Sequence, residues 1–168
     1  VEPLIMTIAN SCDLVLVDTP TTCTDGVAQV YQTCDRLMVV SDERPGAMES
    51  GTRLVGLAQR LGVARAQIMR VSNRCDLRER QSPIVLGQGA DVARAFRVAD
   101  GYEDVEDMIA AGEARPLAEL RCDFADTCAS MLAKTLVELG RLPSHEDAHA
   151  AAEYTEPRTR MGLFARIR

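Results

Sequence analysis

The chain has 168 residues, 46% of them hydrophobic and 26% charged, a balance that calls for a folded core and excludes a polar disordered tract. Nineteen basic against 25 acidic residues leave a formal charge of -6, which argues against nucleic-acid binding through overall charge, though not against a local basic patch. No apolar run reaches the roughly 20 residues that a membrane-spanning helix needs.

The first pattern along the chain is apolar, Leu4 to Ala9, and suits the end of a helix. Asp13 to Asp18 (DLVLVD) is a nearly continuous apolar run followed at once by Thr19-Pro20. It reads as a strand buried on both faces, as in a parallel sheet. A loop and a short helix over Thr24 to Cys34 follow, and Arg36 to Ser41 repeats the strand signature. Met48 to Leu61 places Leu54, Val55, Leu57, Ala58 and Leu61 at helical spacing, with Gly62 as its stop. Gln67 to Ser72 is a third strand and Ala95 to Ala99 a fourth. Tyr102 to Ala111 reads as a helix closed by Gly112. Asp123 to Leu139 reads as a long helix with Phe124, Cys128, Met131, Leu132, Thr135, Leu136 and Leu139 on one side.

Alternating strands and helices define an α/β fold with a parallel sheet and right-handed crossovers. In such sheets the ligand crevice lies beyond the carboxyl ends of the strands. The polar strand ends are therefore the candidate site: Asp18, Ser41-Asp42, Asn73 with Asp76, and Asp100. Asp and Asn also end strands because they suit turns, and that bland alternative stands beside the functional one. Gly140 to Thr159 reads as a linker, and Arg158 to Arg168 as a short basic and apolar tail.

The six cysteines (Cys12, Cys23, Cys34, Cys75, Cys122, Cys128) form no Cys-x-x-Cys pair and no zinc-finger spacing. They are expected to be small, mostly buried residues of a reducing compartment. Lys134 is the one lysine among 19 basic residues and is expected on the surface of its helix.

Asp13-Leu-Val-Leu-Val-Asp-Thr-Pro20, Cys34-Asp-Arg-Leu-Met-Val-Val-Ser41 and Met69-Arg-Val-Ser-Asn-Arg-Cys-Asp76, in this order and spacing, resemble the second half of the MinD/ParA nucleotide-switch ATPases. Within them the chain is most similar to the CpaE/TadZ pilus-assembly branch. Val98 to Tyr102, followed by Ala111-Gly-Glu-Ala-Arg-Pro-Leu117, adds to the likeness, which covers about residues 4 to 140.

The resemblance implies a three-layer P-loop NTPase-like sheet, ATP and magnesium as ligands, and a nucleotide-switched homodimer acting in pilus assembly or spatial positioning. Its protein partners would belong to such a system. Asp18 would be the carboxylate that holds a magnesium-bound water. Pro20 and the loop from Thr21 to Gly26 would form the switch that senses the terminal phosphate. Asn73 would read the adenine edge through its amide. Arg74 would stack or pair nearby, and Asp100 would supply the second adenine-side turn, although Arg97-Val98-Ala99 stands where the family carries a proline-containing turn.

The family's glycine-rich, lysine-bearing phosphate loop has no counterpart here, since Lys134 sits in Met131-Leu-Ala-Lys-Thr-Leu136 with no glycine before it. Val1 is therefore expected to begin a truncated copy, with the domain over 1–140, the linker over 141–157 and the tail over 158–168. The P-loop strand would belong between the Asp13–Asp18 and Arg36–Ser41 strands, and this stretch alone is expected to be inactive. A cytoplasmic protein is implied, and the tail (Met161, Leu163, Phe164 and Ile167 among Arg158, Arg160, Arg166 and Arg168) is similar to a weak peripheral membrane contact.

Three competitors remain. A non-catalytic scaffold of a pilus or secretion machine would keep the fold with a degenerate nucleotide site. His145-Glu-Asp-Ala-His149 matches H-E-x-x-H, with Glu146 as base and Glu153 or Glu156 as third zinc ligand. However, no apolar residues flank it, and Ser144 with Asp147 reads more simply as a helix cap. A phospho-acceptor receiver would need a lysine at a later strand end, where Arg74 cannot replace a compact ammonium.

Overall fold

The computed structural model describes residues 1–78, 92, 94–112 and 120–141. Arg115, Pro116 and Leu117, the histidine pair His145 and His149 with Glu146, Glu153 and Glu156, the linker and the tail from Arg158 lie outside the described residues.

The elements are α1 (Glu2–Ala9), α2 (Asp25–Thr33), β1 (Leu37–Asp42), α3 (Pro45–Arg60), a 3-10 turn (Arg65–Gln67), β2 (Ile68–Cys75), β3 (Arg94–Ala99), α4 (Tyr102–Ala110) and α5 (Asp123–Glu138). The three strands form an open parallel sheet in the order β1-β2-β3, flanked by helices. This α/β layout is compatible with a Rossmann-like arrangement. Two units divide the chain. One gathers the described residues of 1–71 and 85–95, the other those of 72–84 and 96–168.

In the first unit, α2 and α3 carry apolar faces that meet β1 and β2. Val27 and Tyr31 of α2, Val55 and Ala58 of α3, Val39 of β1 and Ile68 of β2 share one buried core. Thr24 caps α2 by accepting the Val27 N–H at 3.3 Å, which fixes where the helix begins. Pro45 opens α3, where a missing N–H costs nothing. Gly62 (φ 91°) and, in the second unit, Gly112 (φ 73°) follow the helices they were expected to stop, in the left-handed conformation that glycine adopts without strain. Two amides tie the far end of α2, one to the end of α3 and one to the 3-10 turn that leads into β2. Gln32 Nε2 donates to the Leu61 carbonyl at 2.8 Å, and Gln67 Nε2 donates to the Cys34 carbonyl at 3.2 Å.

Asp13–Asp18 is not a strand. Residues 14–20 have no regular structure, and Leu14, Leu16 and Val17 are exposed, Leu16 to 77%. The apolar run has the composition of a buried strand, but a strand exists only where a neighbour supplies the ladder. The sheet ends at β1, and no described strand pairs with this segment.

The face of α5 matches expectation only in part: Thr135 of the expected side is buried, and Phe124, Cys128, Met131, Leu136 and Leu139 are half-buried. Its buried residues are Thr127, Ser130, Ala133 and Thr135, while Leu132 is 41% exposed. On this face the Ala99 N–H of β3 donates to Thr127 Oγ1 at 3.1 Å, so a hydroxyl satisfies a buried backbone donor. Lys134 is half-buried on this helix rather than a surface residue.

All six cysteines are free, and only Cys75 is fully buried; Cys12 and Cys23 are exposed. Burial pushes the Cys34 thiol up, with Asp35 adding to the effect against a backbone hydrogen bond that lowers it. Burial, then the neighbouring Cys122, does the same to Cys128. A raised folded-state pKa means that the folded form holds its proton longer than the unfolded chain. The resulting stabilisation is present below the ordinary thiol pKa and is lost as pH rises through the folded value. The denaturation midpoint is therefore expected to fall more steeply above about pH 9 in the native sequence than in a Cys34→Ala, Cys128→Ala variant. Parallel alkaline curves for the two proteins would show that these thiols do not contribute.

Candidate functional site

The polar rim lies in the second unit, where β2 and β3 end together. The Asp100 N–H donates to the Cys75 carbonyl at 3.1 Å, which continues the pairing one residue beyond β3. Asp100 Oδ1 then accepts the Tyr102 N–H at 3.1 Å, turning the chain into α4. Below the rim, Arg97 is buried and donates to the Asp76 carbonyl at 3.0 Å.

Arg74 and Tyr102 both stand at positive φ, 55° and 51°. A side-chain-bearing residue held there costs of order 1–3 kcal/mol and persists only where its surroundings fix it. The twist at Arg74 carries its guanidinium to Glu106 on α4, with Nη2 to Oε1 at 2.8 Å. Both partners are more than half exposed, so the pair contributes at most about 1 kcal/mol and mainly sets direction.

An open cavity of about 440 Å³ is lined by Arg74, Asp100, Tyr102, Glu103 and Glu106. Three carboxylates, one guanidinium already paired and one phenol ring give it acceptors and an aromatic face. Such a lining suits a planar ligand that presents N–H donors and disfavours a phosphate.

Of the residues singled out in the sequence, Arg74 and Asp100 share this cavity. Asn73 is half-buried in β2 one residue before Arg74 and is not among the lining residues. Asp18 and Pro20 belong to the first unit, both exposed in the segment without regular structure. The expected switch loop is shorter than its sequence outline, because Asp25 and Gly26 already lie in the first turn of α2. Among the described residues no three His, Cys, Asp or Glu side chains gather as a metal site. Also among them, no helix is long and apolar enough to cross a membrane.

Tyr102, Glu103 and Glu106 escaped the sequence analysis as site residues. Their only signal is position, since the first turn of a helix that follows a strand end faces the same crevice as that end.

The residues described thus define an α/β domain with a polar rim at adjacent strand ends. Comparison of the chain with protein-family models, with curated proteins and with solved structures finds no match.

Proposed function

We propose that this chain is the base-gripping portion of a MinD/ParA-type nucleotide switch: part of an ATP-binding, ATP-hydrolysing protein that works as a nucleotide-dependent dimer in pilus assembly or spatial positioning. The observation that carries the reading is the junction of β2 and β3. Asn73 and Arg74 lie in the last three residues of β2 and Asp100 directly follows β3, the two strands joined there by the Asp100-to-Cys75 bond, beside a cavity of about 440 Å³ that Arg74 and Asp100 line.

The residues fit an adenine better than they fit the rest of the ligand. The Asp100 carboxylate can accept from an exocyclic amine, and an asparagine amide offers both a donor and an acceptor to a base edge. The Tyr102 ring supplies a stacking face. The 168 residues carry no glycine-rich, lysine-bearing phosphate loop, and among the described residues no metal-ligand set gathers around Asp18, an exposed carboxylate. In the proposed scheme Asp18 would support a magnesium-bound water, Pro20 would lie in the switch, and the phosphate loop would come from polypeptide outside this stretch.

The scaffold alternative shares the fold and needs no nucleotide. Its support is the same missing cradle.

The test is a titration followed by amide NMR. Adenosine is expected to shift the signals of 73–76 and 100–106 with a dissociation constant of about 1 mM, near -4 kcal/mol. ATP should bind no more tightly than adenosine. Asn73→Ala and Asp100→Ala should each weaken the response several-fold. If adenosine leaves these signals unmoved, the base-binding reading fails and the scaffold stands. Micromolar binding of Mg-ATP would instead show that a phosphate site exists within this chain.

A further inference from the structure

The cavity at the strand ends holds more acceptors than a base can use. Adenine within a nucleoside donates through its exocyclic amine alone, whereas an ionised carboxylate accepts at about four sites, and Asp100, Glu103 and Glu106 all line the same space. Two of the three are already partly engaged. Asp100 Oδ1 accepts the Tyr102 N–H at 3.1 Å, and Glu106 Oε1 accepts from Arg74 Nη2 at 2.8 Å. The Glu103 carboxylate makes no ion pair and no hydrogen bond among the described residues. Glu103 is the second residue of α4, directly after Tyr102 and one turn before Glu106, so the two glutamates stand on one side of the helix.

We infer that Glu103 binds the ribose 2′- and 3′-hydroxyls of the nucleoside and thereby sets which way round the ligand lies. The inference rests on the base-binding reading and assigns the part of the cavity that the base leaves unused. With the base on the Tyr102 ring and its amine at Asp100, the donors left on the ligand are the sugar hydroxyls, and a carboxylate accepts well from a ribose 2′-hydroxyl. The direction of the ligand follows from charge. One guanidinium, itself paired, stands among three carboxylates, so this lining repels a phosphate. A ligand whose 2′ and 3′ edge meets Glu103 carries its 5′ end away from α4, and the 5′ end is where a nucleotide bears its phosphates.

An acidic residue in the first turn of a helix also suits the helix dipole. That role accounts for a steadier α4 but for no preference among sugars, so ligand selectivity separates the two.

The test is an amide NMR titration of the full 168-residue chain with adenosine, 2′-deoxyadenosine and the 2′-, 3′- and 5′-monophosphates of adenosine. Adenosine is expected to bind about threefold to tenfold more tightly than 2′-deoxyadenosine, the range for one hydrogen bond in a solvated site. The 5′-monophosphate should bind about as well as adenosine, and the 2′- and 3′-monophosphates should fall below 2′-deoxyadenosine. Glu103→Ala should bring adenosine down to the level of 2′-deoxyadenosine, and Glu103→Gln should relieve the penalty on the 2′- and 3′-monophosphates. Asp107→Asn takes the same charge from an exposed position of α4 outside the cavity lining and should change neither preference. Equal affinity of the native protein for adenosine and 2′-deoxyadenosine overturns the inference and leaves the base-binding reading in place. So does a Glu103→Ala protein that keeps the native preference. Adenosine that moves no signal overturns both.

Discussion

Replacing Gly101 by alanine is expected to lower the stability of the second unit by about 1–3 kcal/mol. Gly101 is the residue between the end of β3 and the first turn of α4. A Cβ placed on it would fall well inside contact distance of the Val105 Cβ and of both its methyl carbons. Val105 is buried to 3% exposure and β-branched, so it has no alternative rotamer into which to retreat cheaply. The helix must therefore move as a body, and with it Tyr102, Glu103 and Glu106, which line the cavity. Because the intruding contact includes the Val105 Cβ itself, Val105→Ala should not rescue the variant. Thermal melting gives the stability loss, and the NMR signals of 100–106 give the displacement. A melting curve and a spectrum unchanged from the native protein would show that α4 does not sit as close to Gly101 as described.

The second large effect is expected at Ile68. It opens β2, the middle strand, and is 0% exposed within the core shared by Tyr31, Val39 and Val55. Ile68→Ala should cost about 2–5 kcal/mol through lost transfer energy and the cavity left behind, and Ile68→Val about 0.5–1.5 kcal/mol. Against a typical total of about 5–15 kcal/mol, the alanine variant would be largely unfolded in mild denaturant. The chain has no tryptophan and three tyrosines, and Tyr31, 2% exposed, reports on this core. A urea titration followed by tyrosine emission would measure the shift. A loss below about 1 kcal/mol would place Ile68 outside the load of the core.

The helices and the three observed strands were legible because their signals are local. Apolar spacing marks α3, Gly62 and Gly112 mark two helix stops, and short β-branched runs mark β1 and β2. The Asp13–Asp18 segment was misread for a related reason. Its composition is that of a strand, but pairing is a property of two segments, and composition reports on one. On α5, Thr127 was not singled out because the donor it meets, the Ala99 N–H, lies on β3, far from the helix in sequence. At the site, Arg74 and Asp100 were visible as polar strand ends. The left-handed backbone at Arg74 and Tyr102 was not, since neither residue type announces positive φ. Nor does spacing reveal that Arg74 meets Glu106, 32 residues away.

Arg70 limits what position 51 can carry. Its guanidinium is buried in the middle strand and donates to the Met48 carbonyl at 3.1 Å and to Thr52 Oγ1 at 2.9 Å, and the space it fills is the space a side chain on Gly51 would need. A lysine there could shed its proton and become an uncharged amine, whereas an arginine stays cationic at every pH the fold survives. Positions 51 and 70 are therefore coupled: a methyl group added at the first displaces the guanidinium tip of the second and with it the bonds to Met48 and Thr52.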